Sequence, residues 1–328
     1  MKPTTTGKRK NTMTTRPKVT PNATPTEETK GTPSASPASL FARRRTKRWE
    51  EEEETDVSAM IAPPVEASPA LPVSKREGVD LTGKPKAIFL IGPGGTGKTT
   101  FARWAAVKMG EAGRAAMLVA MDPQNRSLVT WFDGVEQPPT TDGAQSSRWM
   151  RETLAYQMED KLTALYDLGG GNTAFSLTVE AMPDLVGALQ SEGVEPVALY
   201  FVGPRPDDLA VMGQIEALGF QPPATAVILN EGRVDSTMTA TEAFGRTLRN
   251  SVMKNALTRG VIPVFMPRLE QEVAAEIEGK RLTFSEARDG KTRAGSSVSP
   301  LGPFERSMTR RWLDKMDQQF APIASWLP

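Results

Sequence analysis

One stretch limits the folds open to this chain more than any other. It is Lys86-Ala87-Ile88-Phe89-Leu90-Ile91, running into Gly92-Pro93-Gly94-Gly95-Thr96-Gly97-Lys98-Thr99-Thr100. An apolar run bounded by glycine reads as a buried strand. The Ala-rich segment after it, Phe101 to Met109, reads as a helix. Between the two lies G-x-x-x-x-G-K-T, the spacing of a phosphate-binding loop. Glycines let successive backbone N–H groups turn inward onto phosphate oxygens, and the helix N-terminus adds its positive end. In such a loop Lys98 reaches the β- and γ-phosphates and the Thr99 hydroxyl sits on Mg²⁺. Gly92, Gly94, Gly95, Thr96, Gly97 and Thr100 complete the expected binding set. The plain alternative is a Gly-rich turn that matches by chance; the strand before, the helix after and the filled fixed positions argue against it.

The rest of the composition mostly excludes. The chain has 328 residues, a net charge of +1, no Cys and no His. Disulfides, thiolate chemistry, Cys/His zinc sites and imidazole acid–base catalysis are therefore ruled out. No stretch approaches the ~20 apolar residues that span a bilayer, and the basic N-terminus lacks an apolar core behind it. The expectation is a cytoplasmic protein with no stable membrane insertion.

Residues 1–83 read as a long disordered tail and linker, rich in Thr, Pro, Ser and Ala with few large apolar residues to bury. Residues 1–48 carry 12 Lys or Arg against the two acids Glu27 and Glu28. Arg43-Arg44-Arg45-Thr46-Lys47-Arg48 is the densest cluster, followed by Trp49 and the glutamates Glu50 to Glu54. Two readings stand: a nucleic-acid-binding arm, or a solvated polyampholyte with a short helix from Leu40 to Glu54.

From residue 84 to 328 strands alternate with helices, the mark of an α/β domain with a doubly wound, mostly parallel sheet. Further strands are expected at 115–121, 162–166, 197–202, 226–229 and 261–266. Helices are expected around Leu209 to Leu218, over 239–258, and from Glu305 to Phe320. The second strand delivers Asp122-Pro123-Gln124 and the third delivers Asp167, then Leu168-Gly169-Gly170-Gly171-Asn172. Open α/β sheets place ligand groups at such strand ends. Asp167 is the candidate second Mg²⁺-holding acid. Asp122 is placed to orient or deprotonate an attacking water, and also stands as a metal ligand. Gly170 offers a backbone N–H to the γ-phosphate. For either aspartate alone, a helix cap or turn role is the bland reading.

The loop together with Asp122-Pro123-Gln124, 24 positions after Lys98, resembles the ParA/MinD superfamily of ATPases, whose deviant Walker A loop reads K-G-G-x-G-K-T-T ahead of a strand ending D-x-D-P-Q. Asp167-Leu168-Gly169-Gly170 is similar to that family's Walker B and switch segment. Val227-Ile228-Leu229-Asn230 resembles its strand whose terminal Asn contacts adenine, and Val264-Phe265-Met266-Pro267 with Glu272 to Glu278 its following strand and helix. The resemblance covers residues 85 to roughly 290. It implies ATP and Mg²⁺ as cofactors, slow hydrolysis, an ATP-dependent homodimer, and plasmid or non-specific DNA as partner, directly or through an adaptor protein. The short span from Asp122 to Asp167, with Lys280 to Ala287, is similar to the plasmid-encoded TraL and StbB branch, which implies conjugative transfer or plasmid stability. Two departures stand out. Pro93 replaces the signature lysine that crosses to a partner subunit's nucleotide, and Ala120 replaces the first Asp of D-x-D-P-Q.

Basic residues in the last third (Lys254, Arg259, Lys280, Arg281, Arg306, Arg310 and Arg311) form either a DNA surface or a solvated helix face. Trp312, Leu313, Met316 and Phe320 are expected to dock on the domain core rather than on a membrane. Two other functions compete: a small-molecule kinase, for which Arg205 is the available phosphoryl-contacting cation, and a pseudo-ATPase that binds nucleotide without turnover. Asn230-Glu231-Gly232-Arg233 lacks the Lys and Asp of a guanine-reading N-K-x-D.

Overall fold

Successive residues of a strand point to opposite faces, and in β1 (Lys86–Ile91) both faces are apolar. Ala87, Phe89 and Ile91 join one core, and Ile88 and Leu90 the other. A strand buried on two sides needs helices over both, which parallel crossovers supply. The computed structural model describes residues 79–328, apart from 123–126, 172 and 294, and it meets that demand. One six-stranded sheet has the order β2-β3-β1-β4-β5-β6, with every pairing parallel. The other strands are β2 (Met117–Ala120), β3 (Ala164–Asp167), β4 (Glu195–Val202), β5 (Ala224–Asn230) and β6 (Ile262–Met266). The helices are α1 (Lys98–Glu111), α2 (Ser127–Trp131), α3 (Gly143–Asp160), α4 (Thr173–Ala181), α5 (Leu185–Ser191), α6 (Ala210–Ala217), α7 (Ala240–Arg249), α8 (Ser251–Arg259), α9 (Gln271–Gly279), α10 (Phe284–Asp289) and α11 (Pro303–Phe320).

The expected doubly wound α/β sheet is therefore present. The chain runs from β1 out to β2, back to β3, and then crosses to β4 on the other side of β1. That reversal brings the C-terminal ends of β2, β3 and β1 side by side and opens a crevice beyond them. On one face Phe89 packs with Tyr166, Phe175 and Phe220, at ring separations of 5.0–5.2 Å. On the other, Phe320 of α11 lies 5.2 Å from Phe101 and 5.0 Å from Trp104 of α1. Trp312, Leu313 and Met316 are buried with it, so the apolar side of α11 docks on the core.

Several expectations change. The basic and acidic clusters of the tail, with Pro123, Gln124 and Asn172, lie outside the described residues. Packing against the core begins before residue 84: Leu81 is fully buried, and the Val79 carbonyl accepts from Trp326 Nε1 at 2.7 Å. Leu81 is a single apolar residue between Asp80 and Thr82, too short a signal to separate from a linker. The helix expected over 239–258 is two helices. Asn250 takes ψ 145° and its side chain accepts from the Val252 N–H at 2.9 Å, so it ends α7 and caps α8.

The sequence pattern predicts no helix where α3 lies. It buries Ser146, Met150, Leu154 and Gln157 on one stripe, and the polar members conceal the helical period. Gln157 carries weight there. It is fully buried, its Nε2 donates to the Lys86 and Leu162 carbonyls at 3.0 Å, and its Oε1 accepts from Tyr166 at 2.8 Å. These bonds tie α3 to β1 and β3. Gln157→Leu is expected to lower the unfolding free energy in urea by about 2–3 kcal/mol, because it leaves three buried polar groups without their partner. An unchanged midpoint and slope would show that the network adds nothing.

Candidate functional site

The loop between β1 and α1 is shaped by contacts from distant strands. Gly97 sits at φ 96°, and a Cβ placed there would lie 2.4 Å from Asn230 Nδ2. Only glycine fits both the angle and the space. Asn230 ends β5 and is buried; its Nδ2 donates to the Thr96 carbonyl and its Oδ1 accepts from the Gly232 N–H, each at 2.8 Å. Within the loop, Thr96 Oγ1 donates to the Pro93 carbonyl at 2.8 Å. Lys98 Nζ donates to the Gly92 and Pro93 carbonyls, both at 2.8 Å. Burial presses the Lys98 ammonium below its ordinary pKa, while Asp167 and Asp122 pull it back up.

Thr99 Oγ1 donates to Asp167 Oδ2 at 2.7 Å. Asp167 is the last residue of β3 and is buried. Burial lifts its carboxyl to about 6, against the opposing pull of the Thr99 hydrogen bond and of Lys98. Asp122 follows β2, and a Cβ on Gly169 would lie 3.1 Å from Asp122 Cβ. A Cβ on Gly170 would lie 2.7 Å from the Gly94 nitrogen. The glycine segment thus runs between the loop and Asp122 with no room for a side chain at 170.

Gly94, Gly95, Gly97, Lys98, Thr99, Thr100, Asp122, Asp167 and Gly170 line one cavity of about 480 Å³. Asn230 lines a neighbouring cavity of about 210 Å³ with Gly95, Gly97 and Thr100, closed by Met266 at the end of β6 and by Pro267 and Leu269 after it. Gly92 enters through its carbonyl and Thr96 through the loop's internal bonding. Among the described residues no group of three or more His, Cys, Asp or Glu is placed to hold a metal. The Thr99 hydroxyl and the Asp167 carboxylate are nonetheless hard oxygen donors suited to Mg²⁺, which keeps waters and takes its remaining oxygens from phosphates.

Part of both walls comes from residues that belong to no sequence motif. Arg103 of α1 is buried, with its Cζ 3.5 Å from the Trp131 ring centroid and 4.8 Å from that of Phe284. It pairs with Glu278 at 3.6 Å and lines both cavities. Burial lowers its pKa to about 10, so it remains a cation at neutral pH. The cue was an arginine within the otherwise apolar Phe101–Val107 run. Arg205 is exposed and lines neither of these cavities; Arg233 lines the smaller one. Of the basic residues in the last third, Arg259 pairs with Glu216 and Lys280 with Glu276, while Lys254, Arg281, Arg310 and Arg311 are exposed.

A G-x-x-x-x-G-K-T loop joining the central strand of a parallel sheet to a helix, with an acid at the end of the adjacent strand, decides the fold. It is a P-loop NTPase fold. No protein-family model matches the chain, and no curated protein does. Among solved structures, the cell division protein FtsY of Thermotoga maritima is similar at 13% identity, covering 74% of this chain and 73% of that one, with a TM-score of 0.39. The signal recognition particle receptor FtsY of Elizabethkingia anophelis, in complex with GDP, is similar at 15% identity, covering 59% and 60%, with a TM-score of 0.37. Among the described residues no helix is long and apolar enough to cross a membrane.

Proposed function

We propose that this chain is a Mg²⁺-dependent, slowly hydrolysing ATP switch of the ParA/MinD type. The observation that carries the reading is the Thr99–Asp167 contact at 2.7 Å, with Gly170 packed on the loop and Asp122 beside Gly169 in the same cavity. Lys98 and the loop N–H groups bind the phosphates. Thr99 and Asp167, with Asp122 nearby, hold Mg²⁺, which when bound neutralises developing charge on the phosphate oxygens. Asp122 orients the attacking water and accepts its proton. The Gly169–Gly170 backbone follows the γ-phosphate and relaxes when it leaves, which is how such loops switch.

Adenine is favoured over guanine by the smaller cavity. Guanine presents two N–H donors on its pairing edge, and a protein that reads it needs an acceptor. The position after Asn230-Glu231-Gly232 holds Arg233, which can only donate, and Glu278, an acid of the same cavity, is engaged by Arg103. Asn230, buried and lining that cavity, is the residue this reading sets against the adenine. The cargo in this reading is plasmid DNA or a conjugative-transfer complex, met directly or through an adaptor protein; the exposed Arg310 and Arg311 of α11 support a DNA contact. Pro93 brings no ammonium to a partner subunit, so an ATP-dependent homodimer here relies on other contacts.

Calorimetric titration of the full chain with MgATP and MgGTP tests the reading. ATP is expected to bind at least about tenfold more tightly, since a mismatched buried hydrogen-bonding edge is costly. Asp122→Asn is expected to keep that affinity and lose phosphate release on the order of 100-fold. Equal binding of GTP would remove the adenine assignment, and full turnover by Asp122→Asn would remove the water-orienting role. Duplex DNA bound equally well with and without MgATP would sink the DNA switch.

Gly170→Ala provides an independent check on the glycine segment. The added methyl meets the Gly94 backbone at 2.7 Å, so the segment must shift away from the loop. Phosphate release is expected to fall on the order of 100-fold, the usual cost of a misplacement near 1 Å. Unaltered release would show that the segment stands apart from the reaction.

A further inference from the structure

The loop carries one cation of its own, Lys98, and Pro93 adds none. Arg233 lies where a second could come from within the same chain. Its stem rests on the end of β4: a Cβ on Gly203 would lie 3.6 Å from Arg233 Cβ and 3.9 Å from its Cγ. Its head reaches the loop, since a Cβ on Gly95 would lie 4.0 Å from Arg233 Nη1. The turn that carries it, Glu231–Arg233, is braced on both sides. Asn230 Oδ1 accepts the Gly232 N–H at 2.8 Å, and Arg268 donates to the Glu231 carbonyl at 3.2 Å and to the Val234 carbonyl.

Other arginines around the site are engaged. Arg103 stacks on two rings and pairs with Glu278, and Arg268 holds the turn. The Arg233 guanidinium has no ion pair or hydrogen-bond partner among the described residues, and it lines the cavity that Gly95, Gly97 and Thr100 share with Asn230. An unpaired donor fork held against a phosphate loop is matched to phosphate oxygens, which it can contact in a bidentate manner.

We propose that Arg233 is a nucleotide-positioning residue that binds the phosphate chain in cis, reaching over Gly95 from the β5 side. The proposal rests on the nucleotide-binding reading above. It places the second positive charge in the same subunit as the nucleotide, so binding requires no partner copy. It also explains the fit at Gly203. A side chain there would press on the Arg233 stem and would meet Asp208 Oδ2 at 2.9 Å.

The test is calorimetric titration of the full chain with AMP, ADP and ATP in the presence of Mg²⁺. The wild type, Arg233→Ala, Arg233→Lys and Lys98→Ala are compared at two protein concentrations. Arg233→Ala is expected to weaken ATP and ADP by about tenfold, the loss of a charge-assisted contact, and AMP by much less. Arg233→Lys is expected to recover part of the loss. Thermal unfolding of the nucleotide-free Arg233→Ala chain should match the wild type, because an exposed, unpaired side chain contributes little to stability. The ratio of wild-type to Arg233→Ala affinity should be the same at both protein concentrations. Unchanged ATP affinity in Arg233→Ala, or an equal loss across all three nucleotides, would overturn the proposal. So would an Arg233→Ala loss seen only at the higher protein concentration, where a partner copy would supply the contact. If the wild type and Lys98→Ala bind MgATP alike or not at all, it is the nucleotide reading itself that fails.

Discussion

Asp167→Asn is expected to make the nucleotide-free protein more stable at pH 7 and to abolish Mg²⁺-dependent hydrolysis. Burial raises the Asp167 carboxyl from 3.8 to about 6. Between those two pH values the folded chain holds a proton that the unfolded chain has already released. Stability is therefore fully present below pH 4, falls as pH rises to about 6, and stays lowered above it. A shift of about two units corresponds to on the order of 3 kcal/mol. Asparagine carries no charge to desolvate, and its amide oxygen can still accept from Thr99. The difference in unfolding free energy between variant and wild type should thus be near zero at pH 4 and grow to about 2–3 kcal/mol by pH 7. Subtracting the two curves removes the carboxylates they share. Hydrolysis should fall on the order of 100-fold or more, because an amide oxygen is a poor substitute for a carboxylate toward a hard cation. A variant less stable than wild type at pH 7 would mean that Lys98 and Thr99 stabilise the ionised carboxylate by more than burial costs it. The stability gain and the catalytic loss together would mark a residue retained for chemistry at the expense of the fold.

The legible parts of this molecule are those whose signal is local. β1 and its loop could be read because a strand buried on both faces is apolar throughout, and because the loop's glycines stand at fixed spacing. All six strands follow from the same apolar-run signal, and the adjacency of β2, β3 and β1 makes neighbours of Asp122, Asp167 and the loop. What could not be read depends on tertiary contact. Asn230 braces Thr96, 134 positions away in sequence, and nothing in Val227-Ile228-Leu229-Asn230 announces that. Arg233 stood out only as a residue that breaks a guanine-reading pattern. Its path across Gly203 to Gly95 exists because β4 lies between β1 and β5. Arg205, the cation that the kinase reading expects on the phosphoryl group, precedes a 3₁₀ turn over Pro206–Leu209 and its side chain stays at the surface. Helix α3 hid for a different reason. Its buried stripe includes Ser146 and Gln157, whose polar atoms are satisfied by other elements and so cost little to bury.

Lys98→Ala is expected to remove MgATP binding, with an affinity loss on the order of 100-fold or more, while leaving the fold nearly as stable. The two effects have separate causes. Lys98 Nζ is buried against the Gly92 and Pro93 carbonyls, and its pKa is depressed by that burial despite Asp167 and Asp122. The two hydrogen bonds and the desolvation of the ammonium therefore oppose each other. Their removal together should change the unfolding free energy by no more than about 1 kcal/mol. A triphosphate alters the balance, since Lys98 can exchange two neutral carbonyls for anionic oxygens, and charge-assisted contacts are about twice as strong. Lys98→Arg keeps the charge but brings a wide, planar head into a loop that closes around a point charge, so it too is expected to lose most of the affinity. Calorimetry with MgATP measures the first effect and urea denaturation the second. Normal MgATP affinity in Lys98→Ala would mean that the loop does not hold the phosphates. Lost affinity accompanied by a fall of several kcal/mol in stability would instead make Lys98 a structural clamp on Gly92 and Pro93. Binding lost in a fully folded chain is the result that separates a working phosphate loop from a glycine turn of the same spacing.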